Sequence, residues 1–237
     1  MATYNGEKYI KKQLESILCQ LEANDELIVS DDASTDNTLR IIESFQDPRI
    51  KVFVNTRDKS KLDRVQMVTT NFENALSKAT GDYIFMSDQD DCWHPDKIKI
   101  MLGYLADTDY VQSACVETDE NLEPLGDKGS TYHINRNKYT SLIIDTPYMG
   151  SCTAVTRRLL NKCLPFPSGI QSHDRWIGFV AAFGFTHIFI PDVLMYYRRH
   201  DGNVSSGMNK SKNSLGYRIK TRLRYMTALF LRLAFGV

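Results

Sequence analysis

The chain has 237 residues, enough for one large α/β domain or two small ones, and 42% hydrophobic with 11% aromatic content fits a globular protein with a proper core. Lysine plus arginine equals aspartate plus glutamate, 29 each, so the molecule as a whole has no bias toward nucleic acid. Five scattered cysteines without CxxC spacing point to reduced thiols in a cytosolic setting, not a disulfide frame or zinc site, and neither a signal-peptide pattern nor an apolar run of about 18 residues is read.

Thr3-Tyr4-Asn5-Gly6 reads as a loop leaving a strand, although almost no strand precedes it. Ile10, Leu14, Ile17, Leu18 and Leu21 then recur at helical spacing. "ELIVSDD" (26–32) is a short apolar run ending in acids and predicts a buried strand. "STDNTLRIIESF" predicts a helix with Ser34 or Thr35 as N-cap and Asp36 in the first turn. "IKVFVN" (50–55) is the next strand, and residues 65–79 form a helix with Val68, Phe72, Ala75, Leu76 and Ala79 as its buried stripe. Gly81 ends it, "DYIFMS" is another strand, and "HPDKIKIMLGYL" starts a helix with Pro95 at its first position.

The second half alternates less clearly. "DYVQSACVET" (109–118) reads as a strand, 119–145 as a polar loop or lid, "YMGSCTAVT" (148–156) as a strand and "RRLLNKC" as a short helix. "HDRWIGFVAAFG" (173–184) carries a helical stripe, and "THIFIP" and "VLMYYRRH" read as two strands. In the tail, Leu215, Ile219, Leu223, Met226, Phe230 and Leu233 fall near helical spacing among basic residues, and no acid follows Asp201. That pattern predicts an amphipathic helix lying on anionic lipid, the alternatives being a helix packed on the domain or in a homodimer.

Strand–helix alternation implies an α/β fold with a mostly parallel sheet covered on both faces, where ligands bind beyond the carboxyl ends of the strands. Asp31, Asp32, Asp88, Asp90 and Asp91 all occupy such ends. Hard oxygen ligands there suit Mg²⁺ or Mn²⁺, which bind through one or two carboxylates plus substrate phosphates. By themselves the same acids could form a solvated loop, with Asp91 capping the following helix. A carboxylate in "DDASTDNT" could accept from a nucleobase imide or a ribose hydroxyl, although capping explains much of that stretch.

The stretches "ATYNGEKYI", "VSDDASTDNT", "NFENALSKATGDYIFMSDQDDCW", "SHDRW" and "YRRHDGN" appear in that order. In them the sequence resembles the inverting nucleotide-sugar glycosyltransferases of family 2, which have the GT-A fold. It looks most like bacterial members that build cell-wall or surface polysaccharides, rhamnosyltransferases among them. The resemblance covers roughly residues 1–205. It implies that Thr3, Tyr4 and Glu7 approach the nucleotide, that Asp32 contacts the base with Asp31 beside it, and that Asp88 holds the ribose. It further implies Asp90 and His200 at a Mn²⁺ or Mg²⁺ ion and Asp174 as the catalytic base. Unaided, Asp174 after Ser172 reads as a cap and His200 as a surface histidine.

The pocket for donor sugar and acceptor is expected to draw on Asp91, Gly150, Ser151, His173, Arg175 and Arg199. Trp93 and Trp176 could be core, pocket wall or sugar-stacking platforms. Gly150 would serve either a close backbone approach or a bulge. Residues 1–118 are expected to form a nucleotide-sugar-binding half, 119–205 an acceptor-binding half of the same domain, and 206–237 the basic tail helix. The implied partners are a nucleotide-sugar donor, a glycan or lipid-linked acceptor and a membrane surface, with the protein cytoplasmic and peripheral on the inner face of the membrane. One departure stands out: relatives begin with an apolar strand before the first loop, so the natural start is expected upstream or the chain truncated. A nucleotidyltransferase is a rival reading, but "ATYNGEKY" lacks a glycine- and arginine-rich phosphate loop; a catalytically silent nucleotide-sugar-binding or scaffold subunit is another.

Overall fold

The computed structural model describes residues 1–58, 60, 62–125, 138–139, 146–203 and 215–236. Two sheets and seven main helices make an α/β fold among the described residues. The first half runs β1 (Ala2–Thr3), α1 (Ile10–Leu18), β2 (Leu27–Asp31), α2 (Thr38–Ser44), β3 (Ile50–Val54), α3 (Arg64–Lys78) and β4 (Tyr83–Phe85). There follow β5 (Cys92–Trp93), α4 (Lys97–Leu105), β6 (Tyr110–Thr118), β7 (Thr153–Thr156), α5 (Arg157–Cys163), α6 (His173–Gly184), β8 (His187–Arg198) and α7 (Leu215–Phe235).

β1, β2 and β3 pair in parallel, with Thr3 opposite Asp31 and Asp31 opposite Val54. The second sheet has the order β4-β7-β6-β8-β5. Only β6–β8 is parallel there. β7 runs back along β6, with Tyr110 opposite Val155 and Gln112 opposite Thr153. The two sheets meet where the Ala2 amide donates to Ser87 O at 3.3 Å, which sets the loop after β4 beside the end of β1.

Helix periodicity translates directly into packing. Ile10, Leu14 and Ile17 of α1 are fully buried with Val29 of β2, and Phe72 and Leu76 of α3 lie under β1 beside α6. Each such side chain stabilises the fold by roughly 1.5–3 kcal/mol. At the head of α3 the Asp63 carboxylate accepts from Gln66 N at 2.9 Å, and Gln66 Oε1 accepts from Asp63 N at 3.1 Å, a reciprocal capping box.

Several local expectations need correction. "THIFIP" and "VLMYYRRH" form one strand, β8, of 12 residues. Pro191 is tolerated because the β6–β8 register shifts between Gln112 and Ala114, and a proline without an amide proton falls at that irregularity. α4 begins at Lys97, with Pro95 in the turn before it. α2 begins only at Thr38 because Ser34 and Asp36 are engaged in holding the neighbouring loop. Most of the expected lid at 119–145 lies outside the described residues. Among the described residues no helix is long and apolar enough to cross a membrane.

Candidate active site

The loops after β1 and β2 interlock. Asn5 N donates to Ser34 Oγ at 2.9 Å, Thr35 N to Asn5 Oδ1 at 2.8 Å, and Asn37 N and Nδ2 to Glu7 Oε2 at 2.9 and 2.8 Å. Thr3 is buried and donates to Asp31 Oδ1 at 3.0 Å; the Ser34 amide and hydroxyl bond Asp31 at 2.8 and 2.6 Å. Asp31 is wholly buried, so it shapes this loop rather than facing a nucleotide, and that expectation is corrected. Thr3 is committed to the same internal contact. Asp32, next in the chain, is half-buried at the strand end and accepts from Asn55 Nδ2 at 2.9 Å. Tyr4 is exposed, and its backbone is gripped from the third loop by Gln89, whose side-chain amide makes both bonds, at 2.8 and 2.9 Å.

That third loop, after β4, carries the acid cluster. Burial of the Asp88 carboxyl, with Asp90 and Asp174 adding like charge, pushes its pKa up to about 7; a Ser151 hydrogen bond works against the shift. Asp91 is not a helix cap. It is fully buried and accepts from Arg198 N at 3.1 Å through Oδ1, while Oδ2 has no hydrogen-bond partner among the described residues. Burial, with Asp90 and Asp88 nearby, raises its pKa well above the carboxylate range. It sits beneath the site, not in the sugar pocket where it was expected.

His200 meets Asp90 at the end of β8, Nε2 to Oδ2 at 2.9 Å. Its ring lies 4.6 Å from that of Tyr9, and Asn203 Nδ2 is 3.3 Å from Nε2. Arg198 threads between the same groups: Nε donates to Asp90 O at 2.7 Å, the guanidinium stands 4.7 Å from the Tyr9 ring centre, and buried NH2 has no hydrogen-bond partner among the described residues. The Arg199 guanidinium, expected at the pocket, stands 5.6 Å from the Tyr197 ring centre. Tyr9 and Asn203 were not singled out, although both lie in quoted stretches, "ATYNGEKYI" and "YRRHDGN".

Across the cleft, Gly150 to Cys152 form a 3₁₀ turn leading into β7, where a strand was expected from residue 148. Gly150 is a close approach, not a bulge: a Cβ there would stand 2.6 Å from His173 Nε2. His173 is buried, stacked on Phe72 with ring centres 3.8 Å apart, and its Nε2 has no hydrogen-bond partner among the described residues. Burial pushes its pKa down to about 4, so it is neutral at pH 7. Ser151 is buried, and its carbonyl accepts from Lys97 Nζ at 2.6 Å.

Asp174 stands in the first turn of α6. Its Oδ1 accepts from the Ser172 hydroxyl in a very short contact and from Arg175 N at 2.6 Å. The Arg175 side chain is exposed. Trp176 is completely buried in the core, with Nε1 donating to Cys163 O at 2.9 Å, and Trp93 is buried against α1. Both are core residues, so neither offers a face to a sugar.

The residues present suit a divalent cation. Asp90 and His200 offer an oxygen and a nitrogen donor in contact, and burial, with Asp90 and Asp174 adding like charge, pushes the pKa of neighbouring Asp88 up to about 7. Among the described residues no group of three or more His, Cys, Asp or Glu could hold a metal ion alone. A two-residue set matches Mg²⁺ or Mn²⁺, which complete their shells with water and substrate phosphate.

The family profile described as Glycosyl transferase family 2 matches residues 1–164. The dTDP-rhamnosyl transferase RfbG of Shigella flexneri is 40% identical over 99 residues, covering 42% of this chain and 34% of that protein. The chain thus spans about a third of that relative. Among solved structures, S. aureus TarS 1–349 in complex with UDP is similar at a TM-score of 0.65 and 19% identity, covering 97% of this chain and 64% of that one. The mannosyltransferase PcManGT from Pyrobaculum calidifontis, in complex with GDP-Man and Mn²⁺, gives a TM-score of 0.55 at 22% identity, covering 98% and 61%. These structural likenesses show the fold, with the GT-A arrangement that the sequence implied.

Proposed function

Because the chain belongs to glycosyltransferase family 2, we propose that it moves a sugar from a nucleoside-diphosphate sugar to a hydroxyl of a growing cell-surface polysaccharide or lipid-linked glycan, inverting the anomeric centre. The observation that carries this reading is the convergence on Asp88 of Asp90, from the same loop, and Asp174, from the head of a distant helix. Acids gathered beyond a sheet's strand ends, where both nucleotide and metal are bound in such folds, call for a cationic partner.

In this reading Asp32 and Asp88 hold the nucleoside, with Tyr4 and Glu7 at the rim. Asp90 and His200 hold Mg²⁺ or Mn²⁺, which when bound supplies positive charge to the departing diphosphate. Asp174 takes the proton of the acceptor hydroxyl as its oxygen attacks C1, and the nucleoside diphosphate leaves from the opposite face. A single displacement needs one base and forms no covalent glycosyl intermediate. His173, neutral and packed on Phe72, adds no competing charge beside that base. Residues 1–118 serve the donor and 119–205 the acceptor. The donor is a dTDP-rhamnose or UDP-sugar, in keeping with what the relatives' names state of them. A lipid-linked acceptor would place the protein on the inner face of the cell membrane, through α7.

The test is a panel of UDP-, dTDP- and GDP-sugars scored by thermal shift with Mn²⁺, followed by transfer assays with the donor that binds. Asp174→Asn is expected to keep the donor-induced shift and to lose transfer by about 10²–10⁴-fold. Wild-type turnover in that variant rejects the assignment.

A further inference from the structure

The segment entering α6 has no regular structure from Leu164 to Ser172, yet it must deliver Asp174. Its order comes from neighbours. Thr69 of α3 donates to Gln171 O at 2.8 Å, Arg224 of α7 to Gly169 O at 2.8 Å, and Arg232 of α7 to Leu164 O and Pro165 O at 2.9 and 2.6 Å. The contact nearest the base is made by Tyr225 of α7. Its hydroxyl accepts from Ser172 N at 3.0 Å and donates to Ser172 O at 3.2 Å. Bonding both backbone groups of one residue fixes the peptide planes on either side of it. The Ser172 hydroxyl then holds Asp174 Oδ1. Among the described residues no group bonds Asp174 Oδ2, which leaves that oxygen for an acceptor.

The Tyr225 ring has a separate task. It is 3% exposed and meets Phe179 edge-on with centres 5.5 Å apart, a contact that phenylalanine would make equally. A buried hydroxyl destabilises the fold unless it is bonded, and both bonds here end on Ser172.

We propose that Tyr225 is a positioning residue for transfer, acting through Ser172 on the carboxylate of Asp174. The inference rests on the reading of Asp174 as the base. It makes the tail helix part of the catalytic apparatus, although α7 lies outside the residues that match the family profile.

The experiment uses the full chain with Mn²⁺ and follows hydrolysis of dTDP-rhamnose and UDP-glucose, with amide hydrogen exchange in parallel. Tyr225→Phe is expected to lower kcat about tenfold with donor KM unchanged, because a misplaced base slows chemistry and not donor binding. Exchange is expected to rise in a peptide spanning residues 169–176 and to stay unchanged in β2. Ser172→Ala should show the same split, with a double variant no worse than the more impaired single one, and Ser172→Thr should fall less than Ser172→Ala. Wild-type kcat in Tyr225→Phe, unaltered exchange at 169–176, or kcat and donor KM changing together with the melting temperature would each overturn the proposal. Asp174→Asn separates the two levels. Loss of hydrolysis there with Tyr225→Phe unaffected removes only this inference; wild-type hydrolysis in Asp174→Asn removes the base assignment and this inference with it.

Discussion

Neighbouring residues with the same charge have different tasks here, and burial separates them. Asp31 and Asp32 differ by one position, yet Asp31 is spent on Thr3 and Ser34 while Asp32 remains at the strand end. The sequence showed two acids at a strand terminus but not which one the loop consumes, because that depends on Ser34 turning back after Ala33, whose φ is 66°. Outside the cleft, Glu26 offers a clean test of the electrostatics. Burial raises its pKa, but Lys51 at 2.7 Å and Thr80 at 2.6 and 2.9 Å outweigh it and hold the carboxyl at about 2. A folded value below the unfolded one contributes stability above about pH 4.5, lost as pH falls toward 2. Lys51 is half-exposed, so solvent screening reduces its share. Glu26→Gln is therefore expected to cost roughly 1–2 kcal/mol at pH 7 in urea unfolding, with the gap to wild type closing between pH 4.5 and 2. A gap independent of pH would contradict the assignment.

Elements with strong periodicity were legible, and those defined by pairing alone were not. α3 and α6 fall within a residue of expectation because a buried stripe such as Trp176, Ile177 and Val180 admits one conformation. β5, two residues long, has no pattern to read, and the fusion of β8 across Pro191 depends on β6. The tail helix packs on the domain with one face and leaves apolar residues exposed on another. Tyr225, Ala228 and Leu229 pack into the core, so one face of α7 is a domain helix. Ile219, Leu223, Met226 and Phe230 remain exposed along the other, with Leu223 at 57% and Phe230 at 64%, among Arg218, Lys220 and Arg224. An apolar row flanked by bases suits an anionic lipid surface. Leu223→Glu with Phe230→Glu is expected to weaken sedimentation with phosphatidylglycerol vesicles at least tenfold while leaving the melting temperature unchanged, since neither side chain supports the core. Undiminished sedimentation would contradict lipid attachment through this face. The double substitution is a better probe than removing 211–237, which would also strip Tyr225 and Leu229 from the core.

Across the whole molecule, a net charge of zero hides a division between acids at the strand ends and bases in the tail. The order of the motifs conveyed the α/β class, and it directed attention to the strand ends, which in such a sheet share one edge. It did not convey the mixed second sheet, whose β7 returns after a long excursion with no local signal of direction. Nor did it reveal the bonds from α7 to Ser172, which join residues 53 positions apart. The proposed function divides the labour: Asp90 and His200 are assigned to the nucleotide and its cation, and Asp174 to the acceptor. The most direct measurement is Mn²⁺-dependent binding of UDP and dTDP, by calorimetry, to Asp90→Asn and Asp174→Asn against wild type. The account predicts that Asp90→Asn loses the Mn²⁺-dependent part, as EDTA does for wild type, while Asp174→Asn binds the nucleotide as wild type does. Mn²⁺-dependent binding retained in Asp90→Asn, or lost equally in both variants, would contradict it.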